Sequence, residues 1–173
     1  MDWDAWFTVW GQLSSIPGIL SSINGMAITD ALNCVSLYWK HFHPLFPILH
    51  RPSFGGLASS PLIAAAVIAI GCQYDTRPNA KAFSIGILEA CSKYLLEVCK
   101  VHISPSEPAR KILTNLQHKV EPINSRSHVT DLQCLIMLEV LAKFRARRAD
   151  VGFSAHFRRL YESVSIPLVP TRT

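Results

Sequence analysis

The chain has 173 residues, of which 49% are hydrophobic and 17% charged, and a net charge of +5. That length predicts one domain or a piece of a larger one, and the apolar fraction excludes a disordered tail. The basic balance permits contact with nucleic acid or acidic partners without showing it, and the low charge for so small a chain predicts apolar surface that meets missing sequence or a partner.

Trp3, Trp6, Phe7 and Trp10 recur at i, i+3, i+4 and i+7, one face of a helix, with Asp2 and Asp4 at the end that the macrodipole favours for acids. Such a segment reads first as a helix packed on the core, then as an acidic-aromatic docking segment, and last as a disordered leader. Gly11, Pro17 and Gly18 break the pattern. Asp30 is placed to cap the next helix, whose apolar stripe is Leu32, Val35, Trp39, Phe42 and Phe46, and Pro44 should bend or end it. Pro47 and Pro52 make the stretch from Ile48 to Phe54 an extended or turning segment, closed by Gly55 and Gly56.

Ser60 before Pro61 is a helix start, an N-cap followed by proline at the first helical position. The run through Leu62, Ala66 and Ile70 is apolar on every side, so other helices should surround it, and it should end near Tyr74. At about half the roughly 20 residues of a membrane span, it reads as a core helix. Asn79 should cap a long helix with Phe83, Ile87, Leu88, Cys91, Leu95 and Val98 inward and Lys81, Glu89, Lys93 and Glu97 mostly outward. Pro105 and Pro108 punctuate a loop, after which Ile112, Leu113 and Leu116 belong to a shorter helix. Thr130 and Gln133 have capping-box spacing ahead of a face formed by Leu132, Leu135, Ile136, Val140 and Phe144. A last helical stretch includes Phe153, Phe157, Leu160 and Tyr161 before Pro167 and Pro170.

No strand alternation and no hairpin turn runs through the chain. The prediction is all-α: an irregular array of five to seven helices, the incomplete part of a larger helical domain. Residues 1–29 form an aromatic helix and linker, residues 30–163 the helical domain, and residues 164–173 a tail.

Signals for catalysis are weak. Gly152-Phe153-Ser154-Ala155-His156 starts like a nucleophile elbow but carries His156 where a second glycine belongs. His41 and His43 are two residues apart and point to different helix faces, so a metal site with His50 and Cys34 is disfavoured. The five cysteines, Cys34, Cys72, Cys91, Cys99 and Cys134, are odd in number, lack C-x-x-C spacing and sit in or beside apolar runs. Reduced core thiols fit them better than disulfides, and nothing in the spacing argues for redox sensing. The opening MDWDAWF is acidic where a secretory leader is basic. Lys143, Arg145, Arg147, Arg148, Arg158 and Arg159 form a candidate basic patch. It reads first as a solvated helix end, with nuclear import and phosphate contact as the sharper alternatives.

One stretch goes further. Tyr38 to Phe54 reads YWKHFHPLFPILHRPSF, and Phe42, His43, Pro44, Pro47, Leu49, His50, Pro52 and Phe54 fall on positions that resemble the signature of the fungal-specific transcription factor domain. The run SPLIAAAVIAIGC from Ser60 resembles the next helix of that family, and the segment from Asp131 to Leu138 resembles a later one. The resemblance spans about Asp30 to Tyr161. It implies a regulatory module of a fungal zinc-cluster or Cys2His2 transcription factor, nuclear, controlling transcription by RNA polymerase II and acting through protein partners, an effector or a homodimer. DNA would be reached only through a zinc domain that the scattered cysteines do not supply, so no cofactor is expected in this chain, and no membrane. The family domain is longer than the stretch from Phe54 to the end of this chain, which implies a chain cut short at both ends. The alternative is a helical small-molecule receptor, with a closed apolar pocket among Phe46, Ile70 and Leu88, or a protein-interaction module, in either case with no direct transcriptional role. The signature itself has a structural reading: Phe46, Leu49 and Phe54 fill the gap between two helices, each burial contributing about 1.5–3 kcal/mol.

Overall fold

The computed structural model describes residues 3–51, 54, 60–103 and 126–145. Six α-helices lie among them and no strand: α1 (Trp3–Gln12), α2 (Ile19–Ser22), α3 (Ile28–Leu37), α4 (Pro61–Gly71), α5 (Ala80–Ile103) and α6 (Arg126–Arg145). The all-α expectation holds.

The hub is α4. Ser60 caps it by accepting from the Leu62 N–H at 3.3 Å, and Pro61 opens it without leaving a buried donor unpaired. Every residue from Leu62 to Gly71 is buried. Such a helix is stable only when enclosed, and α1, α3, α5 and α6 all pack against it. It ends at Gly71, one turn before Tyr74, and the chain leaves through a turn in which Tyr74 N–H bonds to Gly71 O.

Helix α3 approaches α4 so closely that a Cβ on Gly71 would overlap the Cys34 carbonyl and stand 3.0 Å from Cys34 Cα. Glycine is there because backbone meets backbone. A second glycine serves a turn: Gly18 has φ 81 between α1 and α2, in the left-handed region.

Several boundaries and faces differ from the sequence reading. Helix α3 starts at Ile28, so Asp30 is its third residue and not its cap, but its carboxylate still accepts the Ala27 N–H at 3.2 Å. Helix α6 starts at Arg126, which places Thr130 inside it, and Gln133 donates to a distant carbonyl in place of a capping box. The inner face of α6 is Cys134, Leu135, Met137, Leu138 and Leu141, while Leu132 is 36% exposed. On α1 the buried side chains are Trp6 and Val9, continued by Leu13 and Ile16, and Phe7 points outward at 56% exposure. In both helices the true apolar arc lies to one side of the predicted one, because a tryptophan- or leucine-rich helix offers two overlapping 3.6-period stripes and packing selects between them. On α5, Ile87, Cys91 and Leu95 are buried, and Lys81, Glu89 and Lys93 are exposed. The predicted segments around Ile112 and Phe153 lie outside the described residues.

Candidate functional site: the proline-studded return

The signature run begins where α3 ends. Pro44 has no N–H and its ring crowds the carbonyl four residues back, so an α-helix cannot continue through it. The chain widens instead into a π-helical turn over Tyr38–Phe42, with His43 N–H bonded to Tyr38 O at 3.0 Å. The chain then turns back by short bonds from Phe46 N–H to Phe42 O at 3.0 Å and from Ile48 N–H to Phe46 O at 2.8 Å.

This geometry gathers rings. Phe42 and Phe46 stack at 5.2 Å between centroids, Tyr38 lies 5.3 Å from Phe42, and Trp39 meets Phe54 edge-on at 5.2 Å. Phe54 also lies 5.9 Å from Trp6, which joins α1 to the return. Phe42, Leu49 and Phe54 are buried and Phe46 is partly so. Phe42, Leu49 and Phe54 of the signature thus lie in the core. Pro44, Pro47 and His50 are exposed, and their backbones shape the path. Pro52 lies outside the described residues.

Histidines diverge as their spacing predicts. His41 stacks on Tyr74 at 5.3 Å, whereas His43 turns inward against Trp39 at 4.6 Å. The His43 Nδ1 and Tyr38 hydroxyl are buried with no hydrogen-bond partner among the described residues. Burial pushes the Tyr38 phenol well up from its ordinary value. Arg51 lies over the Trp39 ring, 5.6 Å from its centroid, and closes the cluster from outside. Gln133 on α6 donates to Ile48 O at 3.1 Å, so the return is bonded to the far helix. Sequence reading missed Tyr38, Trp39 and Arg51 as members of one cluster. Trp39 and Tyr38 stand inside the signature run, which was the available signal. Gln133 had none.

A polar latch lies on the other side of α3. Arg77 bonds the Asp30 carboxylate and reaches Asp75 through Nε at 2.8 Å and Nη2 at 2.5 Å. Asp75 is 7% exposed and also accepts from Asn33 at 3.4 Å. Two charged ends of the α3–α4 pair are thereby tied together. Deeper in, Gln73 donates to the Ser84 hydroxyl, which donates to Ala69 O at 2.6 Å.

The four described cysteines are buried free thiols. Burial pushes Cys91 up to about 12, and Cys134 is raised well above its ordinary value by burial and then by Cys91 and Asp131. The Cys72 thiol is raised by its hydrogen bond to Cys34, by burial and by nearby negative charge. No group of three His, Cys, Asp or Glu among the described residues is arranged to hold a metal ion.

A cleft of about 290 Å³ lies between α2 and α5, lined by Pro17, Gly18, Ser22, Gly86, Ala90 and Tyr94 among others. It does not include the Phe46, Ile70 and Leu88 set expected for an apolar receptor pocket, and Ile70 itself is packed in the core. Of the candidate basic patch, Lys143 is exposed and pairs with Glu139 at 2.5 Å, one turn back. Arg145 ends α6. Arg147, Arg148, Arg158 and Arg159 lie outside the described residues. No described helix is long and apolar enough to cross a membrane.

No curated protein and no solved structure matches the chain. The profile of the fungal specific transcription factor domain does, over residues 35–159, which takes in the end of α3, the aromatic return, α4, α5 and α6. That match covers most of the chain and takes in the whole aromatic return, so this protein belongs to the fungal specific transcription factor domain family.

Proposed function

We propose that the chain is a regulatory module that controls transcription by RNA polymerase II in the nucleus through protein partners, an effector or a second copy of itself. The observation that carries this reading is the family match over residues 35–159, together with a signature run whose apolar residues are buried in the fold. The role is regulatory and not catalytic. DNA is reached through a separate zinc module, a reading supported by the burial of the four described thiols in the core. The basic residues near Lys143 serve as a solvated helix end.

The test is a fusion of the chain to an unrelated DNA-binding domain upstream of a reporter in a fungal host. A change in reporter output relative to the DNA-binding domain alone is expected. Unchanged output, with the fusion shown to be folded and nuclear, would contradict a regulatory role.

A further inference from the structure

Cys34 on α3 and Cys72 at the end of α4 are 38 positions apart in sequence, yet their sulfurs stand 3.1 Å from each other, and both residues are fully buried. The approach has a structural cause: Gly71 lets the α4 backbone rest on Cys34 itself. A disulfide needs about 2.05 Å between sulfurs. The remaining gap is about 1 Å. Cys34 Sγ also lies 3.7 Å from Asp75 Oδ2, an acceptor for its proton.

We infer that Cys34 and Cys72 form a dithiol pair that hydrogen peroxide oxidises to an intramolecular disulfide, stapling α3 to α4. Cys34, the sulfur beside the carboxylate, attacks one peroxide oxygen. A sulfur–oxygen bond forms and the oxygen–oxygen bond breaks. The departing hydroxide takes up the thiol proton by way of Asp75 and leaves as water. Cys72 then attacks the sulfur of the Cys34 sulfenic acid. The sulfur–sulfur bond forms, and the hydroxyl leaves with the Cys72 proton as a second water. Two thiols lose two electrons and two protons, and the peroxide gains them. Because both sulfurs are buried, reaction waits on local opening between α3 and α4. The pair therefore oxidises slowly, and the closed disulfide is shielded from reductants. Cys91 and Cys134 provide the internal comparison, as buried thiols on α5 and α6.

The experiment treats the purified full chain with hydrogen peroxide under native conditions. Remaining thiols are then blocked in denaturant, and digested peptides are mapped by mass spectrometry with and without reductant. The expected result is a reductant-sensitive Cys34–Cys72 cross-link, present in wild type and in Cys91→Ser, together with a higher thermal midpoint for the oxidised chain. Cys72→Ser should leave Cys34 without a partner and abolish the cross-link. Full blocking of both thiols after peroxide, or a predominant cross-link between other cysteines, would overturn the inference. Mapping the wild-type chain is decisive even where a serine variant fails to fold.

Discussion

Gly71 is the residue on which the α3–α4 contact turns. A methyl group there meets the Cys34 backbone, which has no free rotamer to yield. Gly71→Ala should cost about 1–3 kcal/mol or more, read as a lower urea midpoint with an unchanged slope. Arg77 carries a different cost. Its removal strips the buried Asp75 carboxylate of its charged partner and leaves it the backbone N–H of residue 77, Asn33 and a thiol. Arg77→Ala should lose about 1–3 kcal/mol, whereas a double change of Arg77 and Asp75 to neutral residues should lose less than the sum of the two single changes. The buried thiols set a pH dependence. Cys91 is raised from 9.0 to about 12, so the unfolded chain releases this proton first as pH rises. The stabilisation is fully present below pH 9 and is lost progressively up to about pH 12, by at most about 1.4 kcal/mol per pH unit for each such thiol. Denaturation midpoints at pH 7 and pH 10 check the sign.

Between the elements, α4 was the most legible from sequence and the outer helices the least. Ser60-Pro61 leading into an unbroken apolar run has one reading, because no polar face exists to choose. In α1 and α6, two apolar stripes overlap, and only the position of α4 decides that Trp6 and Cys134 turn inward while Phe7 and Leu132 do not. The return at Pro44 was legible as a break, since proline chemistry is local. Its π-helical turn was not, because that geometry also depends on where Tyr38 and Phe42 find their partners. The Cys34–Cys72 pairing was illegible for the same reason: sequence spacing says nothing of two helices meeting at a glycine. Gln133 joins α6 to the return by one bond to Ile48 O. Gln133→Ala should cost about 0.5–1.5 kcal/mol and speed amide hydrogen exchange in the return more than in α4.

At the scale of the whole molecule, α4 is enclosed by helices α1, α3, α5 and α6, while Phe7, Leu20, Leu45, Ile85 and Val129 remain outside. Scattered singly, such residues are ordinary on a protein surface. If some of them serve the partner contacts proposed above, the purified chain should self-associate as its concentration rises, which light scattering would read. The buried aromatic residues of the family signature make it a packing device on which folding of the module depends. The most direct measurement is the unfolding free energy of Phe42→Ala and Phe54→Ala by urea titration. Each should lose about 3–5 kcal/mol, with reporter regulation failing in step with stability. Unchanged stability in either variant, with reporter output nonetheless altered, would show a recognition surface in place of a core and contradict the account.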